Sequence, residues 1–194
     1  MNAAGNPLEG HLSWSGRLPV QWRVLDCLPG RGELARAQER NEALLRALAL
    51  IEEGPARLVD EPSPLVAQME RLEAKFDLVL TLLSEVLLAD LTVPDTVPVR
   101  LSACGLEFAT TGHTEPGASV ELSLFFSNSL PRPVLLYGVV APPVPPPLAS
   151  PSPAEEQYLA VTFQQRGPAV GELLERLVFR RHRRSIALQR PQNA

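Results

Sequence analysis

Hydrophobic and polar positions change rhythm twice along this chain. Between residues 17 and 25 they alternate, so that Leu18, Val20, Trp22 and Val24 fall on one face. A period of two predicts a strand. Pro19 cannot donate a ladder bond, and it predicts an edge position or a strand start. Residues 1–16 are polar, contain Gly and Pro, and read as a flexible tail. From 31 to 53 the period becomes helical. Leu34, Leu44, Leu45, Leu48 and Ile51 form a stripe among Arg and Glu, Asn41 interrupts it, and Gly54-Pro55 ends it.

A linker over 56–63 leads into the strongest pattern. Ser63-Pro64 is a good helix start, because Ser caps free N–H groups and Pro is tolerated at the first helical position. The helix predicted over 64–91 carries Leu65, Met69, Leu72, Phe76, Val79, Leu83, Val86 and Asp90, spaced alternately by four and three. Seven of these eight positions are apolar, which is a coiled-coil seam. Val66, Leu80 and Leu87 widen the stripe, as suits a bundle of more than two helices. At ~1.5 Å per residue such a helix is about 40 Å long, more than a small barrel can cover. Two outcomes are open. Either the two helices close on each other as a hairpin, or the seam assembles subunits; the weak stripe around Asn41 favours assembly.

After Pro94 the rhythm returns to two. Strands are expected at 97–102, 106–109, 119–127, 133–140 and 157–165, with turn residues such as Pro116-Gly117 between them. Short strands joined by tight turns predict a small barrel. The stretch 142–153 holds seven prolines in twelve residues, so it reads as an extended loop rather than a strand. Pro168 to about Gln189 predicts a final helix with Val170, Leu174, Leu177 and Val178 facing inward. Its second half carries Arg176, Arg180, Arg181, Arg183 and Arg184, with Arg190 just beyond. This reads as a solvated helix end whose cations complement the helix dipole, not as a nucleic-acid surface, since no stacking aromatics are interleaved.

Composition narrows the function classes. A net charge of -4 gives no global field for nucleic acid or acidic membrane. Two cysteines, Cys27 and Cys104, make no disulfide framework and suggest a reducing, cytoplasmic setting. No apolar run reaches the ~20 residues of a membrane span, and the first residues lack a signal-peptide pattern. No nucleophile elbow, phosphate-binding Gly-rich loop or metal-ligand spacing is present, so an enzyme is not expected.

The order of motifs has a family character. Ser102-x-x-Gly105-Leu106-x-Phe108, Pro116-Gly117, Val161-Thr162-Phe163 and the Arg-rich helix after Phe179 together resemble a PilZ domain. The helices between the first strand and the rest resemble its atypical, tetrameric branch. The resemblance spans roughly 17–190 and implies an α+β fold. Its parts are an antiparallel β-barrel core (17–25 and 97–165), a helical insertion (31–91) that forms a coiled coil after the first strand, and a C-terminal helix (168–189). It implies cyclic di-GMP as ligand, signalling proteins as partners, and a homotetramer built on Leu65, Met69, Leu72, Phe76, Val79, Leu83 and Val86. The residues matching or replacing the family's ligand set are Arg17, Arg23, Arg100, Ser102 and Gly105. Arg100 stands where the motif has an acidic or amide residue, and a guanidinium offers donors only. The Arg-x-x-x-Arg spacing of the family occurs at Arg36/Arg40 and Arg176/Arg180, but inside predicted helices. The expectation is therefore a degenerate site with no tightly held cofactor, in a non-catalytic adaptor. The alternative is a true receptor with a rearranged arginine set.

Overall fold

The computed structural model describes residues 8, 10–53, 68–69, 71–76, 78–79, 82–83, 93–127, 130, 132–142 and 157–189. Six strands, β1 (Ser13–Leu25), β2 (Thr96–Ser102), β3 (Gly105–Thr110), β4 (Ser119–Leu124), β5 (Val134–Val140) and β6 (Gln157–Gln164), close into a barrel in the order β1-β2-β3-β6-β5-β4. Every neighbouring pair is antiparallel. Two helices flank it, α1 (Arg31–Glu53) and α2 (Pro168–Gln189), both with the predicted bounds.

Closure depends on β1. It starts at Ser13, so residues 13–16 of the predicted tail are strand, and Leu8 of that tail is buried. The alternation that marked 17–25 is blurred upstream by Gly16 and the serines, which carry no hydrophobic signal. Ser13 to Pro19 pair with β2, and Val20 to Leu25 pair with β4. Pro19 sits where the strand changes partners. Its missing N–H costs no ladder bond there, and its carbonyl still accepts from Phe125 N–H at 3.2 Å. The predicted edge position is thus a seam in a closed barrel. A barrel closed this way leaves no open edge among its six strands.

Inward positions follow the pleat. Leu18, Val20, Leu101, Leu106, Leu122 and Val161 all lie in one core. Trp22 is partly buried and meets Phe108 edge-on, with ring centroids 6.2 Å apart. Val24, expected on the same face, is exposed although its partner across the ladder, Val120, is buried.

Helix α1 buries Leu34, Ala37, Asn41, Leu45 and Leu48, and leaves Ile51 exposed. The working stripe therefore includes Asn41, the residue that the hydrophobic pattern marks as its flaw. Asn41 Nδ2 donates to the Leu135 carbonyl at 2.6 Å, and Asn41 Oδ1 accepts from Leu135 N–H at 2.9 Å. One side-chain amide thus copies a strand partner and ties α1 to β5.

Helix α2 seats Val170, Leu174, Leu177 and Val178 against the same core. Its arginine run is not a plain solvated helix end. Arg181 lies over Trp14 at 5.0 Å and over Phe126 at 5.1 Å from the ring centroids. It also donates to Glu52 Oε1 at 2.8 Å and to the Phe126 carbonyl at 2.9 Å. Arg180 Nε is 3.6 Å from Glu52 Oε2, and Arg184 donates to the Glu52 carbonyl at 3.2 Å. The run clamps the end of α1 to α2 and the barrel, because a guanidinium can stack on rings and bond in its plane at once.

The described residues between 68 and 83 are helical, and Met69, Leu72, Phe76, Val79 and Leu83 are all exposed. Leu65, Val86, the linker 56–63, Arg190 and all of the Pro-rich stretch after Pro142 lie outside the described residues.

The tie at Asn41 is testable. Asn41→Ala leaves the N–H and C=O of Leu135 without their partner and is expected to cost ~1–3 kcal/mol. The midpoint of urea unfolding measures it. A loss within about 0.5 kcal/mol, the range of an ordinary surface change, would show that the bonds contribute little.

Candidate functional site

The Ser-x-x-Gly motif forms the tight turn from β2 to β3. Ser102 is fully buried, and its Oγ accepts N–H bonds from Cys104 at 3.1 Å and Gly105 at 3.0 Å. The same hydroxyl donates to the Gly105 carbonyl at 3.3 Å. Short hydroxyl side chains bind nearby backbone in this manner and fix a turn. Cys104 carries the turn across to β6, where its carbonyl accepts from Phe163 N–H at 2.8 Å.

The three candidate arginines do not converge. Antiparallel register places Ser15 opposite Arg100 and Arg17 opposite Pro98. Arg17 and Arg100 are therefore diagonal neighbours on the outer face of β1 and β2, at a separation typical of ~7–8 Å. Each is engaged locally. Arg17 donates to the Thr96 carbonyl at 2.6 Å, and Arg100 donates to Ser13 Oγ at 3.1 Å. Arg23 lies six residues further along β1, about 20 Å at strand rise. It forks onto Glu121, at 2.7 Å from Nε and 2.9 Å from Nη2.

That fork is one part of a small network. Bonding to Glu121 and its charge raise the Arg23 pKa above the ordinary guanidinium value. Tyr137, buried beside them, has its phenol pKa raised, first by burial, then by the charge of Glu121 and a hydrogen bond to it.

Three residues that the motif reading passed over gather at the β2–β3 turn. His11 Nδ1 is 3.8 Å from Cys104 Sγ, and Arg166 Nη2 donates to the same sulfur at 3.7 Å. They sit far apart in sequence, and nothing in the local pattern around either one announces the contact. Among the described residues, no group of three or more His, Cys, Asp or Glu is placed to hold a metal ion. No described helix is long and apolar enough to cross a membrane.

The family model for the atypical PilZ domain, cyclic di-GMP receptor, matches residues 45–191. This chain belongs to the atypical PilZ family. Its matched span covers α2 and five of the six strands of the barrel, and it omits β1, which closes the barrel. A solved structure from Xanthomonas campestris is similar over 92% of each chain, at 30% identity and a TM-score of 0.69. It is described as the structure of a pathogenic protein that reveals a new tetrameric PilZ domain, self-assembled via an unusual helical bundle. A comparison with curated proteins gave no match.

Within this PilZ domain the raised phenol pKa has a definite sign. The folded chain holds the Tyr137 proton more tightly than the unfolded chain does. The associated stability is complete below pH ~10 and is lost as pH rises through the folded pKa. Two tyrosines are present, so in Tyr158→Phe the absorbance titration follows Tyr137 alone. It is expected to ionise above pH ~10. Ionisation at or below that value would contradict the burial argument.

Proposed function

We propose that this atypical PilZ protein is a non-catalytic adaptor of cyclic di-GMP signalling that works as a homo-oligomer. A tetramer joined through the helix that the sequence predicts over 64–91 is the form we favour. The exposed seam is the observation that carries this reading: Met69, Leu72, Phe76, Val79 and Leu83 stand 53–60% exposed in the single chain. A run of large side chains left half in water at heptad spacing forgoes the burial that would stabilise it, roughly 1–1.5 kcal/mol for each, about half the value of full burial. Burial against copies of the same helix recovers that loss. The tetrameric description of the similar Xanthomonas structure supports the same assembly.

On this reading the nucleotide site is degenerate and the working contacts are with other signalling proteins in the cytoplasm. The dispersal of Arg17, Arg23 and Arg100 supports it, as does the Ser102 hydroxyl, whose bonds are all spent within its turn. The second reading is a genuine cyclic di-GMP receptor. It draws on the family's description as a receptor and on the diagonal adjacency of Arg17 and Arg100.

Two measurements bear on these readings. Light scattering after size exclusion at micromolar concentration is expected to report a tetramer. Leu72→Glu with Val79→Glu is expected to give monomers whose barrel still folds. A monomeric wild type would remove the assembly.

Calorimetric titration with cyclic di-GMP is expected to show no binding in the micromolar range. Each lost charge-assisted bond weakens a site by ~1.5–3 kcal/mol, and about 1.4 kcal/mol is tenfold. Micromolar binding that Arg17→Ala and Arg100→Ala abolish would establish the receptor reading instead.

A further inference from the structure

A second collection of arginines lies on the opposite flank of β1. The first half of α1 passes over the outer face of β1, β4 and β5 and leaves an open cleft of about 450 Å³. Arg36 and Arg40 line it from the helix, and Arg23 lines it from the strand. In sequence, Arg36 and Arg40 match the Arg-x-x-x-Arg spacing, and their helical setting argues against the family's use of it. The helix puts that spacing to a different end. Positions four apart share one face, so both guanidiniums face the same cleft as Arg23.

From these residues we infer that the cleft is an anion site for the phosphoryl group of a small ligand. Three observations carry this. First, like charges one helical turn apart repel, and neither Arg36 nor Arg40 makes a hydrogen bond or ion pair among the described residues. Arg46, further along the same helix, has its carboxylate in Glu42. Among the described residues the cleft pair has no such carboxylate.

Second, the forks come from two elements, α1 and β1. A group with several charged oxygens, such as a phosphoryl group, can be shared between them, since guanidiniums bind such groups bidentately. Gly30, the residue just before α1, borders the same cleft and brings the positive end of the helix dipole to it. Glu33 and Glu121 also line it, so the arginines outnumber the carboxylates by one.

Third, Arg23 is reachable from solvent: its side chain is largely exposed, whereas its partner Glu121 is mostly covered. Leu25, Leu28 and Leu135 supply an apolar wall beside the charged one, which suits an organic phosphate better than a bare ion.

This site does not depend on whether cyclic di-GMP binds at the β1–β2 face. Calorimetric titration of the full chain with inorganic pyrophosphate, and then with AMP, tests it. Both are expected to bind with a Kd of about 1 mM or tighter at low salt. The pair Arg36→Ala with Arg40→Ala is expected to weaken pyrophosphate by about tenfold or more. The matching pair of lysine substitutions keeps the charge but loses the fork, and should weaken it by less. Arg46→Ala, and Arg17→Ala with Arg100→Ala, are expected to leave it unchanged. Circular dichroism confirms that each variant is folded. No binding at about 10 mM would overturn the inference, as would equal affinity in the double alanine variant or an equal loss in Arg46→Ala.

Discussion

One strand serving two partners is the constraint on which the molecule depends. β1 bonds β2 with its first half and β4 with its second, and Pro19 marks the exchange. Without it the other five strands form an open sheet with unpaired edges on β2 and β4. The core beneath is filled by side chains from all six strands and from both helices, so closure and packing are one event. The candidate residues follow from it. Arg17 faces β2, Arg23 faces β4, and the exchange at Pro19 between them keeps them on different parts of the surface.

The helices are attached by polar chemistry laid over apolar packing. α1 is held near its middle by Asn41 on the β5 backbone and near its end by Glu52 in the arginine cluster of α2. Gln38 adds a bond to the Gln165 carbonyl at 2.6 Å, where the backbone takes φ 52° just before α2. Apolar contacts alone tolerate sliding by a helical turn, whereas paired amides and forked guanidiniums fix one register.

Much of this was legible in the chain itself. The bounds of α1 and α2 and the positions of β2 to β6 follow from periodicity, because each element buries one face and local pattern records it. The same logic misjudged what pattern does not record. Asn41 read as a defect because its partner, the backbone of Leu135, is distant in sequence and a backbone has no letter. The arginines of α2 read as a solvated end because nothing near them in sequence points to Glu52 or Trp14. Ser102 and Gly105 were recognised as a motif. The burial of Ser102, and the three bonds of its hydroxyl within the turn, could be seen only once the turn was folded. Spacing alone likewise did not say whether the seam from Met69 to Leu83 is covered within the chain; its described side chains are exposed there.

The double attachment of α1 also has a mechanical side. A helix fixed at its middle and at its end has its bearing set by the body of the domain. Glu52 lies 11 residues beyond Asn41, ~17 Å of helix, so about 10° of tilt at Asn41 displaces it by about 3 Å. That is as long as the bond it accepts from Arg181, so the fork opens before the apolar stripe has slid by a turn. Substitutions at Asn41 and at Arg181 therefore act on one quantity from two ends: the angle at which α1 lies on the barrel.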